Sequence, residues 1–324
     1  MKLKKYVLLL ILLQLFTSAN SFAFEKVGTT SFQFLKVIAN ARASSLAGAY
    51  TTIGMGSESM FWNPAGLTTV SKFDVSIDYL DWFLDVAHYS FSAAYTLKGV
   101  GTFGVMGMMA DVGEIEETKV SHLGYQNGVY NPGLTGYKFS PKSMAFGVSF
   151  ARNLNDRFTF GVNVKYVYED LVYYNKGALC FDGGMLFKTG FKSIVVGASI
   201  RNFGQEITYI DKNYPLPQTL NIGVSAHLFS DDNPIISTSD DHALLISTDI
   251  IQPRDYDQQY AIGVEYSFLK MLYMRGGVLL NTDNGGLNLG AGVSFQGTKV
   301  DYSFSDHGEY LGSVHRISVS LSIK

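Results

Sequence analysis

From about residue 72 to the C-terminus, apolar side chains recur at every second position with small or polar residues between them. A period of two places the two sets on opposite faces of an extended chain. In 158–168, Phe158, Phe160, Val162, Val164, Tyr166 and Tyr168 share one face, and Thr159, Gly161, Asn163 and Lys165 the other. Leu287, Leu289, Ala291, Val293 and Phe295 alternate in the same way, as do Ile317, Val319, Leu321 and Ile323. The pattern predicts fourteen strands, over 73–82, 87–97, 101–112, 143–152, 157–168, 177–188, 193–203, 218–229, 242–251, 258–268, 271–281, 286–296, 298–305 and 314–324. Each approaches the roughly 9–11 residues that a tilted strand needs to cross a bilayer. Asn155-Asp156, Thr189-Gly190, Asp283-Asn284-Gly285-Gly286 and Gln296-Gly297 read as short connections, and 113–142, 204–217, 230–241 and 306–313 as longer polar loops. Short turns at one end and long loops at the other are the arrangement of an outer-membrane barrel.

The polar face separates a barrel from a sandwich. A sandwich exposes its second face to water and fills it with charge, whereas here that face carries Gly, Ser, Asn, Thr and Ala. Small, mildly polar groups suit a narrow lumen, with Phe, Tyr, Leu and Val outside. Composition agrees: 14% of residues are aromatic and only 16% charged, against about 25% charged in soluble domains. Tyr79, Trp82, Tyr89, Tyr166, Tyr168, Tyr266 and Phe268 stand near strand ends, where interfacial girdles form. The expected fold class is therefore all-β, an antiparallel transmembrane β-barrel of about 14 strands. The same numbers exclude a disordered chain, and one cysteine excludes a disulfide scaffold. A net charge of −3 without basic runs gives no footprint for nucleic acid.

Residues 1–23 read as a cleaved signal peptide, with Lys2, Lys4 and Lys5 before an apolar run and Ser21-Phe22-Ala23 as the cleavage site. This predicts export, and with the strands a location in a Gram-negative-type outer membrane with its lipid as partner. Residues 24–70 do not alternate. Rich in Ala, Gly and Ser, they suggest helical turns over about 30–50 and 57–68, in a piece too small to hold its own core. The expected organisation is a signal peptide (1–23), an N-terminal hatch in the lumen (24–70) and the barrel (71–324).

Ala41-Arg42-Ala43, Leu46-Ala47-Gly48-Ala49-Tyr50 and Phe61-Trp62-Asn63-Pro64-Ala65-Gly66-Leu67 resemble the PorV/PorQ family of outer-membrane proteins, which is related to the FadL long-chain fatty acid transporters. Asp301-Tyr302-Ser303-Phe304, Gly312 and His315-Arg316-Ile317-Ser318 look like the family's closing hairpin. The resemblance implies a non-enzymatic barrel associated with type IX secretion, its loops 113–142 and 204–217 engaging secretion-system subunits or cargo domains. The alternative that it implies is a FadL-like transporter holding a hydrophobic ligand. Arg42, Gly48, Trp62, Asn63, Pro64, Ala65 and Gly66 are then hatch residues, structural or gating, and Gly312, His315 and Arg316 belong to the hairpin. Independently of family, Pro64 disfavours a helical Asn63, and the Asn63 side chain can close a turn on a nearby N–H. Arg42 faces two readings: an internal pair with Asp74, Asp78, Glu169 or Glu265, or a contact to a ligand carboxylate.

Motifs for chemistry are missing. The histidines, His88, His122, His227, His242, His307 and His315, stand apart, with neither H-E-x-x-H nor a Cys/His pair, so no metal site is signalled. No phosphate-binding loop and no G-x-S-x-G occurs. No cofactor is expected. Asp231-Asp232 and Asp240-Asp241 read as a solvated loop, with Ca²⁺ binding as the alternative.

Overall fold

The computed structural model describes residues 27–126, 128–283, 286–308 and 312–323. Residues 1–23, expected to be a signal peptide, lie outside them. Fourteen antiparallel strands close into a barrel: β1 (Phe73–Asp81), β2 (Ala87–Leu97), β3 (Gly101–Asp111), β4 (Lys142–Asn153), β5 (Phe158–Asp170), β6 (Asn175–Lys188), β7 (Val195–Gly204), β8 (Thr219–Ser230), β9 (His242–Pro253), β10 (Gln259–Phe268), β11 (Leu272–Leu280), β12 (Leu287–Phe295), β13 (Thr298–Asp306) and β14 (Ser313–Ile323). Sequential neighbours pair, and β1 pairs β14 from Phe73↔Ile323 to Asp81↔His315, so no edge is left open.

The period-two pattern becomes inside and outside as expected. Along β1, Asp74, Ser76, Asp78 and Leu80 are buried while Ile77 and Tyr79 are exposed. Phe146 is 63% exposed and Phe295 59%, although both sit in continuous strands. An apolar exterior this extensive is the surface that hydrocarbon solvates and water does not. Aromatic rows border it. Register aligns Phe73, Tyr95, Phe103 and Phe150 across β1–β4 at one end. Tyr79 lies opposite Tyr89, ring centroids 5.4 Å apart, six residues further along β1, or about 20 Å at the usual rise. Trp82 is an exception to the expected girdle: it turns inward, 5.6 Å from the guanidinium carbon of Arg316.

Connections after odd-numbered strands share one end, called here the loop end, and those after even-numbered strands share the other, the turn end. The long connection after β3 is a projecting hairpin, Ile115–Gln126 paired with Val129–Phe139, and the one after β7 holds a small pair, Ile207–Tyr209 with Lys212–Tyr214. The 231–241 connection follows β8 and so lies at the turn end, not with the other long loops. Asp231 there is engaged by Lys270 at 2.5 Å. Conversely, the connection through Asp283 follows β11 and lies at the loop end.

Residues 27–70 fill the lumen. Their local structure is four short turns: 3-10 helices at Gln33–Lys36, Ser57–Phe61 and Pro64–Thr69, and one α-helix, α1 (Ala41–Ser45). Asn40 caps α1 by accepting from the Ala43 N–H, and Asn63 caps the turn after it from an extended backbone (φ −143°), accepting from the Ala65 N–H. These turns are too short to persist alone, so the barrel wall must hold them.

Candidate functional site

The plug is gripped by charge. Arg42 on α1 makes a two-pronged pair with Glu265 of β10, Nε to Oε2 at 2.8 Å and Nη2 to Oε1 at 2.9 Å. The same carboxylate accepts from Arg275 of β11 at 2.5 Å, and Arg275 reaches Asp301 of β13 at 2.7 Å. Asp301 is in turn 3.4 Å from Lys299. Arg42 and the inward wall residues Glu265, Arg275 and Asp301 are all buried, where an unpaired charge would be costly and a paired one is held in a single geometry. Of the four acids considered for Arg42, Glu265 is the partner. A second junction surrounds Asn40, whose amide donates to Glu58 and to Asp78 of β1 at 2.8 and 2.9 Å. On the far wall, Asp249 of β9 accepts from the backbone N–H groups of Tyr50 and Thr51.

Small residues let the plug approach the wall. The Asn63 amide donates to the Met185 carbonyl of β6 at 3.1 Å. A Cβ on Gly161 would overlap the Pro64 carbonyl, and one on Gly277 would overlap the backbone of Leu46 and Ala47, so glycine is required where the two surfaces touch. Ala65 is fully buried, and Gly66 sits on the Gly54 carbonyl. Gly48, at φ +83°, ends α1 by donating to the Ala43 carbonyl, a left-handed closure that suits glycine. Trp62 stands edge-on to Tyr50, centroids 5.8 Å apart, with its ring 4.8 Å from the guanidinium carbon of Arg201.

The hairpin residues divide. Arg316 faces the lumen, donating to the Ile38 carbonyl at 2.7 Å and to Ser305 at 2.9 Å. His315 faces out and meets the Tyr302 hydroxyl at 2.7 Å, while Gly312, at φ +73°, donates to the Gly308 carbonyl between β13 and β14. Sequence reasoning passed over Asn40, Glu58, Arg201 and Arg275, and named Asp301 only as part of the closing hairpin. For Arg275 the signal was present, a charge at an inward strand position beside Gly277 on the same face.

Two cavities flank α1. One of about 250 Å³ opens at the loop end, lined by Ile38, Ala47, Trp82, Leu279, His307 and Arg316. Burial, then the nearby charge of Arg316, holds the His307 imidazole below its ordinary value. The other, about 230 Å³, opens at the turn end between Arg42, Glu58, Asp74 and Lys299. Ser44 and Ala47 border the first and Arg42 the second, so a single helical turn and its ion pair stand between them. The wall beside the plug is continuous: β3 pairs β2 from Leu97↔Gly101 to Ala87↔Asp111 and β4 from Thr102↔Ala151 to Asp111↔Lys142. Among the described residues no group of three or more His, Cys, Asp or Glu gathers as a metal site would require.

No family model matches the chain, and no curated protein does. Solved structures are similar. The toluene transporter TodX of Pseudomonas putida superposes with a TM-score of 0.58 at 14% identity, over 88% of this chain and 97% of that one. The toluene transporter TbuX of Ralstonia pickettii gives 0.57 at 12% identity, over 87% and 98%. A FadL homologue of Pseudomonas aeruginosa gives 0.53 at 11% identity, over 88% and 98%. At these identities the likeness is one of fold, and it extends over nearly the whole of each of these chains.

Proposed function

We propose that the protein is a non-enzymatic channel of the outer membrane that passes small hydrophobic molecules, with the N-terminal segment as its gate. The observation that carries this reading is the pair of cavities on either side of α1 inside a closed wall. A ligand held at the loop end, against Ile38, Ala47 and Leu279, would gain about 0.8 kcal/mol for each CH₂ buried. It would pass on when α1 moves aside, without any catalytic group or cofactor. The names of the similar structures, two toluene transporters and a FadL homologue, support the same reading. The continuous wall favours a route along the barrel axis.

The gate can be locked. Ser44 of α1 and Ser305 of β13 face each other, their Oγ atoms 3.1 Å apart. In Cys180→Ser protein, Ser44→Cys with Ser305→Cys should form a disulfide that stops uptake of a hydrophobic probe such as toluene into proteoliposomes, and reduction should restore it. Unchanged uptake with the disulfide formed would exclude α1 as the gate.

A second reading, a PorV/PorQ-type component of type IX secretion, draws support from the projecting hairpin. There Val120 is 88% exposed, Tyr125 81% and Val129 72%, an apolar surface suited to a protein partner. Isolation of the protein from native membranes with secretion subunits or cargo domains attached, with no toluene uptake, would favour this second reading.

A further inference from the structure

A third cavity lies on the opposite side of the plug from β11–β14, enclosed between residues 35–40 and 61–62 and the inward faces of β2, β3, β5 and β7. Its volume is about 30 Å³, room for one or two waters or a single monatomic ion and too small for an organic ligand. Its charged lining is entirely cationic: Lys36, Lys165 and Arg201, with no carboxylate among the lining residues. Lys36 and Lys165 already have acids, Asp255 at 2.5 Å and Asp182 at 2.8 Å. Arg201 has none within ion-pair distance among the described residues. One guanidinium N–H donates to the Phe61 carbonyl at 3.1 Å, and its Nε–H has no acceptor. The indole N–H of Trp62, which also lines the cavity and carries Arg201 on its face, has none either. Asp182 is taken up by Lys165, Asn163 and the Asn202 N–H, and Asp249 turns one oxygen to the Tyr50 and Thr51 N–H groups while its other, which has no hydrogen-bond partner, stays beyond ion-pair distance of Arg201. A half-buried guanidinium whose Nε is shut off from solvent, with spare N–H donors beside a small cavity, asks for an acceptor that also carries charge. Water supplies only the first of these.

We propose that this cavity is a binding site for a small inorganic anion, chloride or another halide, which neutralises Arg201 and fastens the plug to β5 and β7. The site is independent of the ligand passage proposed above and stands whether or not the barrel transports toluene.

Crystals of the full-length protein soaked in bromide should show an anomalous peak within hydrogen-bonding distance of the Arg201 guanidinium. In detergent, the unfolding temperature should rise in a saturable way, by on the order of 2 °C or more, when chloride replaces gluconate at constant ionic strength. Arg201→Leu should abolish this dependence and Arg201→Lys retain it in part. No bromide peak at Arg201 in the wild-type protein, together with equal unfolding in both salts, would mean that the cavity holds water alone and would overturn the proposal. The wild-type measurements decide it even should Arg201→Leu fail to fold.

Discussion

Glu265 carries more of the plug's attachment than Arg42 does, because it serves two guanidinium groups at once. Glu265→Gln leaves Arg42 and Arg275 buried with only Asp301 between them, and should cost about 3–5 kcal/mol, the usual penalty for stripping one partner from a buried pair. Arg42→Met leaves Glu265 paired with Arg275 and should cost less. Chemical unfolding in detergent micelles gives the order, and a larger loss for Arg42→Met would show that the network is not shared as described. The sequence made Arg42 legible as a lumen cation with an acidic partner, and Glu265 was among four acids that qualified. Choosing between them required the register of β10 against α1, a relation between residues 223 apart that local pattern does not encode. Trp82 was misplaced for a related reason. It follows Asp81 at the end of β1, where period two no longer dictates direction, and Arg316 draws its ring inward.

The fourteen strands were legible almost to the residue because each has one greasy and one small-polar face, and a one-residue slip would reverse both. The hairpin 115–139 reads as loop in the sequence because both its faces are exposed and the alternation that marks a wall strand is missing. The length of the loop after β8 groups it with the long loops, but strand parity, not length, decides the end of the barrel at which a connection falls. The hairpin is tied to the β5–β6 connection through Glu117, whose carboxylate accepts from Tyr173 and Thr135, each at 2.8 Å, and pairs with Lys119 at 3.1 Å. These partners, the Tyr173 hydroxyl foremost, hold the Glu117 carboxyl below its usual range. A depressed carboxylate stabilises above its unfolded value, about 4.3, and that contribution disappears as pH falls through the folded value. Anisotropy of a fluorophore at Val120→Cys, in Cys180→Ser protein, should therefore fall as pH drops below about 4. Glu117→Gln should give the lower value at neutral pH and remove the transition.

For the whole molecule the governing fact is the inversion of side chains, with rings and branched chains outside and charge within. Val105, midway along β3 and outward-facing, should sit near the bilayer centre. Val105→Arg should destabilise the protein in lipid vesicles by about 2–4 kcal/mol, whereas Val120→Arg on the hairpin should leave stability unchanged. Equal effects would remove the membrane placement. The direction of the chain through this inverted body has a kinetic side as well. Ser44 is held by Ser305 and Asn40 by Ser318, partners 261 and 278 residues later, and β1 finds its second neighbour only in β14. Contacts between such distant positions are slow to form, since a long loop must close before any of them contributes. The plug segment thus waits for the last strands to be enclosed, and wall and plug are completed in the same event.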